Sequence, residues 1–275
     1  MGVKSGFSSH HKKALDKIRL FTGSEIRIKV LMALNGGSKD LTQLKKSLGH
    51  DSSTIIHAME SMRVDNLIEV TKGGYTLTNI GKAEVILLNN LLKSVSALSK
   101  KSEFWLTHDI SGIPDHLLKR IGDLNDCEVL VSPSEDILRV FSNYFRLVLK
   151  AKEVKGVSPI FHPDLPDLIK ALVNRKADVE LVLTQKVMAK AKKTCNCEFK
   201  KMVHDHNLRL WLIDEDVKVA FTVTDSALSF GLFLNDGKYD MGTDLITYGG
   251  DAIGWGRDLF KYYQMRAREV NPEDI

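Results

Sequence analysis

The 275 residues predict an α/β protein of the α+β kind: a small N-terminal winged helix-turn-helix followed by a larger mixed-sheet α/β domain. Three observations predict it. Between Ser24 and Gly81, three stretches with helical apolar spacing precede two short β runs joined through glycines. From residue 104 onward, helix and strand patterns alternate and then give way to consecutive strands. Charge divides in the same place: residues 1–100 hold 15 Lys and Arg against 8 Asp and Glu, a net +7, while the remainder nets −3. A basic first part and a mildly acidic remainder fit a DNA-binding domain followed by a sensing or assembly domain.

Residues 1–13 read as a flexible tail rich in Ser, His and Lys, with His10-His-Lys-Lys13 within reach of DNA. The winged unit is assigned to 14–81. A lead-in helix is expected over Ala14–Phe21. The first helix of the motif runs from Ser24, a suitable N-cap, to Leu34, with Ile26, Val30, Leu31 and Leu34 on one face. Asn35-Gly-Gly37 stops it. Leu41–Leu48 forms the second helix behind Asp40, and Gly49-His-Asp51 is the turn. Ser52–Asp65 forms the third, burying Ile55, Met59 and Met62. Leu67–Thr71 and Tyr75–Thr78 are the β runs, joined by Lys72-Gly-Gly74 as the wing.

In such a unit the third helix enters the major groove and the second crosses the backbone. Ser52, Ser53, Thr54, Ile56, His57 and Glu60 form the outward face here, offering hydroxyls, an imidazole and an apolar contact for a thymine methyl. Lys45, Lys46 and Lys72 suit phosphates, and Tyr75 lies at the wing base. Among Lys and Arg, only Arg63 falls on the third helix. The competing reading is an interaction module whose winged helix docks on protein.

Residues 82–103 are expected to be a connecting helix and linker. Val85, Leu88, Leu91, Leu92, Val95 and Leu98 form an apolar stripe that either packs back on the winged unit or pairs with a second copy. Pairing is favoured, since helix-turn-helix proteins commonly read two-fold sites as dimers.

Residues 104–275 are the α/β domain. Helices are expected over Ile113–Leu124, Glu135–Lys152 with Ser134 as cap, Pro163–Arg175, the Lys-rich 185–203 and roughly 250–270. Strands are expected over Cys127–Ser132 (buried), Val154–Ile160, Asp178–Thr184, Leu208–Ile213, Val217–Thr224 and Leu228–Leu234. Ligand sites in such folds lie at the carboxyl ends of parallel strands. Ser132, Thr184 and His162 end or follow such strands and are therefore candidate effector-binding residues; Arg139 and Tyr144 are candidates beside them for the pocket lining, as are His108 and Arg146. His162 before Pro163 equally fits a helix-capping role.

Cys195-Asn-Cys197 and His204-Asp-His206 carry a ligand set that suits zinc, but each pair is separated by one residue instead of two to five. No metal site is assigned to them, and no cofactor is expected. The lysines of 186–201 read as a solvated face. Cys127, Cys195 and Cys197 make no disulfide framework, no apolar run approaches ~20 residues, and the N-terminus lacks a signal-peptide core. The expected setting is cytoplasmic.

Some wording is more specific. Leu67-Ile-Glu-Val and Gly74-Tyr-Thr-Leu-Thr-Asn-Ile-Gly81 stand in the first part. The second part carries Trp105-Leu-Thr-His-Asp-Ile-Ser-Gly-Ile-Pro114, Gly156-Val-Ser-Pro-Ile-Phe-His-Pro163, Leu181-Val-Leu-Thr184, Thr222-Val-Thr-Asp-Ser-Ala-Leu-Ser229 and Gly254-Trp-Gly-Arg-Asp-Leu-Phe260. Together they resemble FilR-type regulators, transcription factors of methanogenic archaea. The resemblance implies a transcriptional regulator with an effector or interaction domain, akin to the phospholipase D-like fold of archaeal sugar-responsive regulators. That chemistry needs His-x-Lys pairs, which occur only at His10–Lys12 and His11–Lys13 in the tail. The chain is therefore expected not to be an enzyme. Its expected partners are duplex DNA, a second copy and a small-molecule effector, with no membrane.

Overall fold

The computed structural model describes residues 9–194 and 207–271, and the chain divides into two units, 1–91 and 92–275. In the first, α1 (Ser9–Thr22) begins earlier than the predicted lead-in helix. It precedes α2 (Glu25–Asn35), α3 (Leu41–Leu48) and α4 (Ser52–Val64). The predicted spacings bury Val30, Leu31 and Leu34 from α2, Leu44 from α3, and Ile55, Met59 and Met62 from α4 in one cluster. Ser24 stands at the start of α2, but its hydroxyl makes no cap bond. Asp40 and Gln43 form a reciprocal capping box on α3. Asp51, placed in the turn by the sequence reading, is the cap of α4.

Strands β1 (Ile68–Thr71) and β2 (Gly74–Leu77) pair antiparallel through the two-residue turn Lys72–Gly73. Tyr75 also exchanges two backbone hydrogen bonds with Lys39, at 2.9 and 3.0 Å, anchoring the hairpin beside α3. Gly74 has φ +106°, and a Cβ there would lie 2.6 Å from the Lys39 carbonyl oxygen.

Helix α5 (Asn79–Lys100) follows, extending beyond both ends of the predicted Val85–Leu98 stripe. Gly81 lets it pass over the Leu67 carbonyl, into which any Cβ would run. The stripe splits in two. Val85 and Leu88 are buried with the first unit's core, whereas Leu91, Leu92, Val95 and Leu98 remain exposed.

The second unit is built on a nine-stranded mixed sheet. Its elements are α6 (Ser102–Thr107), β3 (His108–Asp109), α7 (Asp115–Leu118), β4 (Glu128–Val131), α8 (Arg139–Val148), β5 (Glu153–Ser158), α9 (Leu165–Asn174), β6 (Asp178–Thr184) and α10 (Gln185–Thr194). Then come β7 (Leu208–Ile213), β8 (Val219–Thr224), β9 (Leu228–Leu234), β10 (Thr243–Thr247), α11 (Gly250–Gln264) and β11 (Arg268–Glu269). Strand order is β11-β7-β6-β5-β8-β9-β10-β4, with β3 pairing β9. β5, β6 and β7 are parallel, and the remaining pairings are antiparallel. Alternation along the strands sends Val157, Val182, Phe221 and Phe230 to one core with α7 and α11. Val154, Val179, Leu181 and Leu183 go to the other with α9 and α10.

Several elements of this half differ from those expected. The helix expected over Ile113–Leu124 is two short pieces, α7 and a 3₁₀ turn at Ile121–Leu124. β4 is not buried: it pairs only along β10 at the sheet's end, so most of its side chains face solvent. The helix expected from Glu135 starts at Arg139, where the Ser132 hydroxyl accepts the Val140 N–H at 3.1 Å. α9 begins at Leu165 with Pro166, not Pro163, in its first turn. β3, β10 and β11 were not anticipated, and α11 ends at Gln264, short of the predicted 270. Among the described residues, no helix is long and apolar enough to cross a membrane.

Candidate functional site

The candidate DNA face lies on α4 and its neighbours. Ile55, Ala58, Met59 and Met62 turn inward, which leaves Ser53, Ile56, His57 and Glu60 exposed and Ser52 and Thr54 half-buried. Lys45 and Lys46 are exposed in the last turn of α3, and Lys72 is exposed at the hairpin turn. Tyr75 is half-buried, with its backbone in the Lys39 bridge. Arg27 of α2 shares a shallow hollow with Ser53, Thr54 and His57, a cation beside α4 that the sequence reading did not select.

The start of α4 is more committed than its composition suggested. Asp51 accepts the Thr54 N–H at 2.8 Å, the Ser53 hydroxyl at 2.7 Å and the Thr54 hydroxyl at 3.1 Å. These donors, the Thr54 backbone N–H foremost, hold the Asp51 carboxyl at about 2, well below the usual carboxylate range. Glu60 is paired with Arg63 at 2.9 Å.

The second unit holds a cavity of about 490 Å³ beneath α8. It opens at the carboxyl ends of the parallel strands β5 and β6, where the sheet topology places ligand sites. Tyr144 and His162, both sequence candidates, line it together. His162 stacks on Phe141 with ring centroids 3.5 Å apart, and its Nδ1 accepts the Asp164 N–H at 3.2 Å. The proton of the neutral ring therefore sits on Nε2. Burial lowers the His162 pKa.

The other candidates lie outside the cavity lining. The Ser132 hydroxyl caps α8, and Thr184 Oγ1 accepts the Val187 N–H at 3.5 Å at the start of α10. Arg139 and Arg146 are exposed on α8. His108 is buried against Phe104, with Nδ1 2.7 Å from the Phe104 carbonyl and Nε2 3.2 Å from Asp240. Cys195, Cys197, His204 and His206 lie outside the described residues. No group of metal-ligating side chains occurs among the described ones.

The cavity also gathers residues that the sequence reading missed. Asp244 is buried and accepts the Ser229 hydroxyl at 2.5 Å. Burial outweighs this bond and those from the Phe230 and Leu245 N–H groups, and pushes the Asp244 carboxyl up to about 7. Tyr144 Oη lies 3.2 Å from Thr222 Oγ1, and Tyr239 lines the same end. Burial raises the pKa of both tyrosines. Thr222 and Ser229 bound the Thr222–Ser229 stretch singled out as distinctive wording, which was the available signal. Asp244 gave none, because its strand was not recognised.

Comparison with known proteins follows this division. Residues 15–96 match the domain family described as "Methanogenesis regulatory protein FilR1, N-terminal domain", and residues 137–266 match its middle domain. The chain is 33% identical over 264 residues to the Methanogenesis regulatory protein FilR1 of Methanothrix harundinacea (strain 6Ac), covering 94% of this chain. It spans 59% of the length of that relative. Among solved structures, TrmBL2, described as an archaeal chromatin protein with a novel mode of DNA binding, aligns with TM-score 0.43 and 14% identity. That alignment covers 90% of this chain and 94% of the other. The phosphatidylserine synthase of Haemophilus influenzae Rd KW20 aligns with TM-score 0.40 and 12% identity, over 80% of this chain and 48% of the other. On the two domain matches and the identity to that regulator, the chain belongs to the FilR family of archaeal regulatory proteins.

Proposed function

We propose that the chain is a transcriptional regulator: a winged helix-turn-helix over 14–81 reads duplex DNA as a homodimer, and 104–275 senses a small ligand. The observation that carries the DNA reading is the exposed face of α4, with Ile56, His57 and Glu60, flanked by the exposed cations Lys45, Lys46 and Lys72. The hairpin serves as the wing, and the three lysines hold phosphates while α4 addresses base edges. The setting is cytoplasmic.

Residues 82–103 connect the two domains and supply the dimer contact. At 100° per residue, Ile80, Leu87, Leu91, Val95 and Leu98 fall within an arc of about 80°. All five are exposed, Leu91 to 50%. Leu88, only 6% exposed, belongs to the core and takes no part in this contact. For 104–275 the reading is a phospholipase D-like scaffold kept for binding, since no His-x-Lys pair occurs there.

Fluorescence anisotropy on a labelled duplex at several salt concentrations tests the DNA reading. Binding should weaken linearly in log–log form with salt, and Lys72→Ala should reduce the slope by about one. A salt-insensitive interaction would favour the protein-docking alternative. Light scattering tests the dimer: Leu91→Asp should yield monomers, and a monomeric parent at tens of micromolar would remove this part of the reading.

A further inference from the structure

The cavity is a trough running across the sheet. Strand register aligns Leu181 of β6, Gly156 of β5, Thr222 of β8 and Ser229 of β9 in one row. Ser229 pairs with Ile246 of β10, and Asp244 sits two residues before it, on the same face. Gly156 leaves the middle of this row open. A Cβ there would come within 3.0 Å of Leu181 Cδ2 and 3.3 Å of Thr222 Oγ1. Four strand spacings separate β6 from β10, about 19 Å.

The two ends of the trough differ in chemistry. At the β10 end stands Asp244, 4% exposed, among the Ser229, Thr222, Tyr144 and Tyr239 hydroxyls. At the β6 end stand Lys186 and Lys190, one turn apart on α10, and His162, which follows β5, belongs to the same lining. The rest of the lining is largely apolar: Phe141, Phe145 and Leu165, with Leu181 and Leu183 on β6 and Val187 on α10. A sugar would leave its hydroxyls unpaired along that stretch. A compact anion would engage only one end.

We propose that the trough binds an elongated amphipathic carboxylate, its apolar chain lying over Gly156, its far end donating a hydroxyl to Asp244, its carboxylate held by Lys186, Lys190 and His162. This rests on the ligand-sensing reading above. Asp244 distinguishes the ligand from a plain fatty acid, because a carboxylate accepts and needs a donor. The lysines distinguish it from a neutral alcohol.

The test is calorimetric titration of the full chain at pH 8 with ω-hydroxylauric acid, lauric acid and dodecanol, all below their aggregation limits. The hydroxy acid should bind at least tenfold more tightly than either comparison compound, the gain expected of a hydrogen bond to a charged group. Asp244→Asn should reduce the preference over lauric acid at least several-fold, and Lys186→Glu should abolish the preference over dodecanol. Gly156→Val should remove binding of all three. Undiminished binding to Gly156→Val places the probe elsewhere and overturns the proposal, as does equal affinity for the three compounds or failure of the hydroxy acid to bind. DNA affinity measured with and without the probe separates the two readings. Selective binding that leaves DNA affinity unchanged retains the ligand class and discards sensing.

Discussion

Asp244→Asn is expected to make the second unit more stable, and increasingly so as pH rises. The unfolded chain loses this proton near the ordinary 3.8, whereas the folded chain keeps it to about 7. Between those values the native state holds the extra proton, so stability falls as pH rises, by about 1.4 kcal/mol per pH unit, and levels off above about 7. From pH 5 to pH 8 the carboxyl therefore costs about 3 kcal/mol. Asn keeps an oxygen for the Ser229 hydroxyl and removes the charge. The stability gap between variant and parent should widen by that amount, or about 6–12 °C in Tm for a unit of this size. Any cost of the amide that does not vary with pH cancels in the comparison.

The three tryptophans, Trp105, Trp211 and Trp255, all lie in the second unit, so intrinsic fluorescence reads its unfolding alone. Neighbouring groups leave the window clear. Tyr144 and Tyr239 are raised from an already high value, and burial pushes the Cys127 thiol up to about 12. His162 is present in both proteins. A gap that stays constant between pH 5 and pH 8 would refute the assignment of a buried, neutral carboxyl.

Other outcomes are expected on the same reasoning. Gly81→Ala forces a Cβ against the Leu67 carbonyl and should destabilise the first unit by about 1–3 kcal/mol, seen by circular dichroism with the tryptophan transition unmoved. Trp255→Phe removes the buried Nε1–H that donates to the Leu117 carbonyl at 3.1 Å, and should lower the second unit's stability by about 2 kcal/mol in urea titrations. An unchanged midpoint in either case would show that the contact contributes nothing.

The first unit was legible almost throughout because its signals are local. Apolar residues three and four apart, Asp40 as a cap and glycines at the hairpin each decide their own few residues. The second unit was legible where strands are buried on both faces, as in Asp178–Thr184 and Leu208–Ile213. It failed where tertiary context decides. β4 carries an apolar run, Val129-Leu-Val131, that reads as core but sits at the sheet's edge. The residues before Arg139 have helical composition, but the Ser132 hydroxyl fixes the start of α8 later. His162 was recognisable from its place after a strand and before a helix, and Tyr144 was a candidate on the amphipathic helix that precedes that strand. Asp244 and Gly156 enter the trough only through strand pairing, which no local pattern encodes.

The chemistry at the start of α4 separates the Ser53 and Thr54 hydroxyls from His57, although all three lie among the candidate DNA contacts. Ser53 and Thr54 both direct their hydroxyl protons at Asp51, whose carboxyl stays charged far into acid. A phosphate needs a donor, so neither hydroxyl can serve one without giving up its bond to Asp51. Their oxygens remain acceptors, but Asp51 also places negative charge where a phosphate would approach. Phosphate contact is thus left to Lys45, Lys46 and Lys72. His57 stands one turn further along the exposed face, and no hydrogen bond to its ring is seen among the described residues. His57→Ala should therefore lower the preference for a specific duplex over a random one by about 1–3 kcal/mol, the scale of a single base contact. Ser53→Ala should leave that preference nearly intact while loosening the α4 cap, detectable as faster amide exchange at Thr54 and Ile55. Competition binding against random duplex checks the pair. Equal loss of preference in both variants would mean that the cap opens on DNA and that Ser53 reads bases directly.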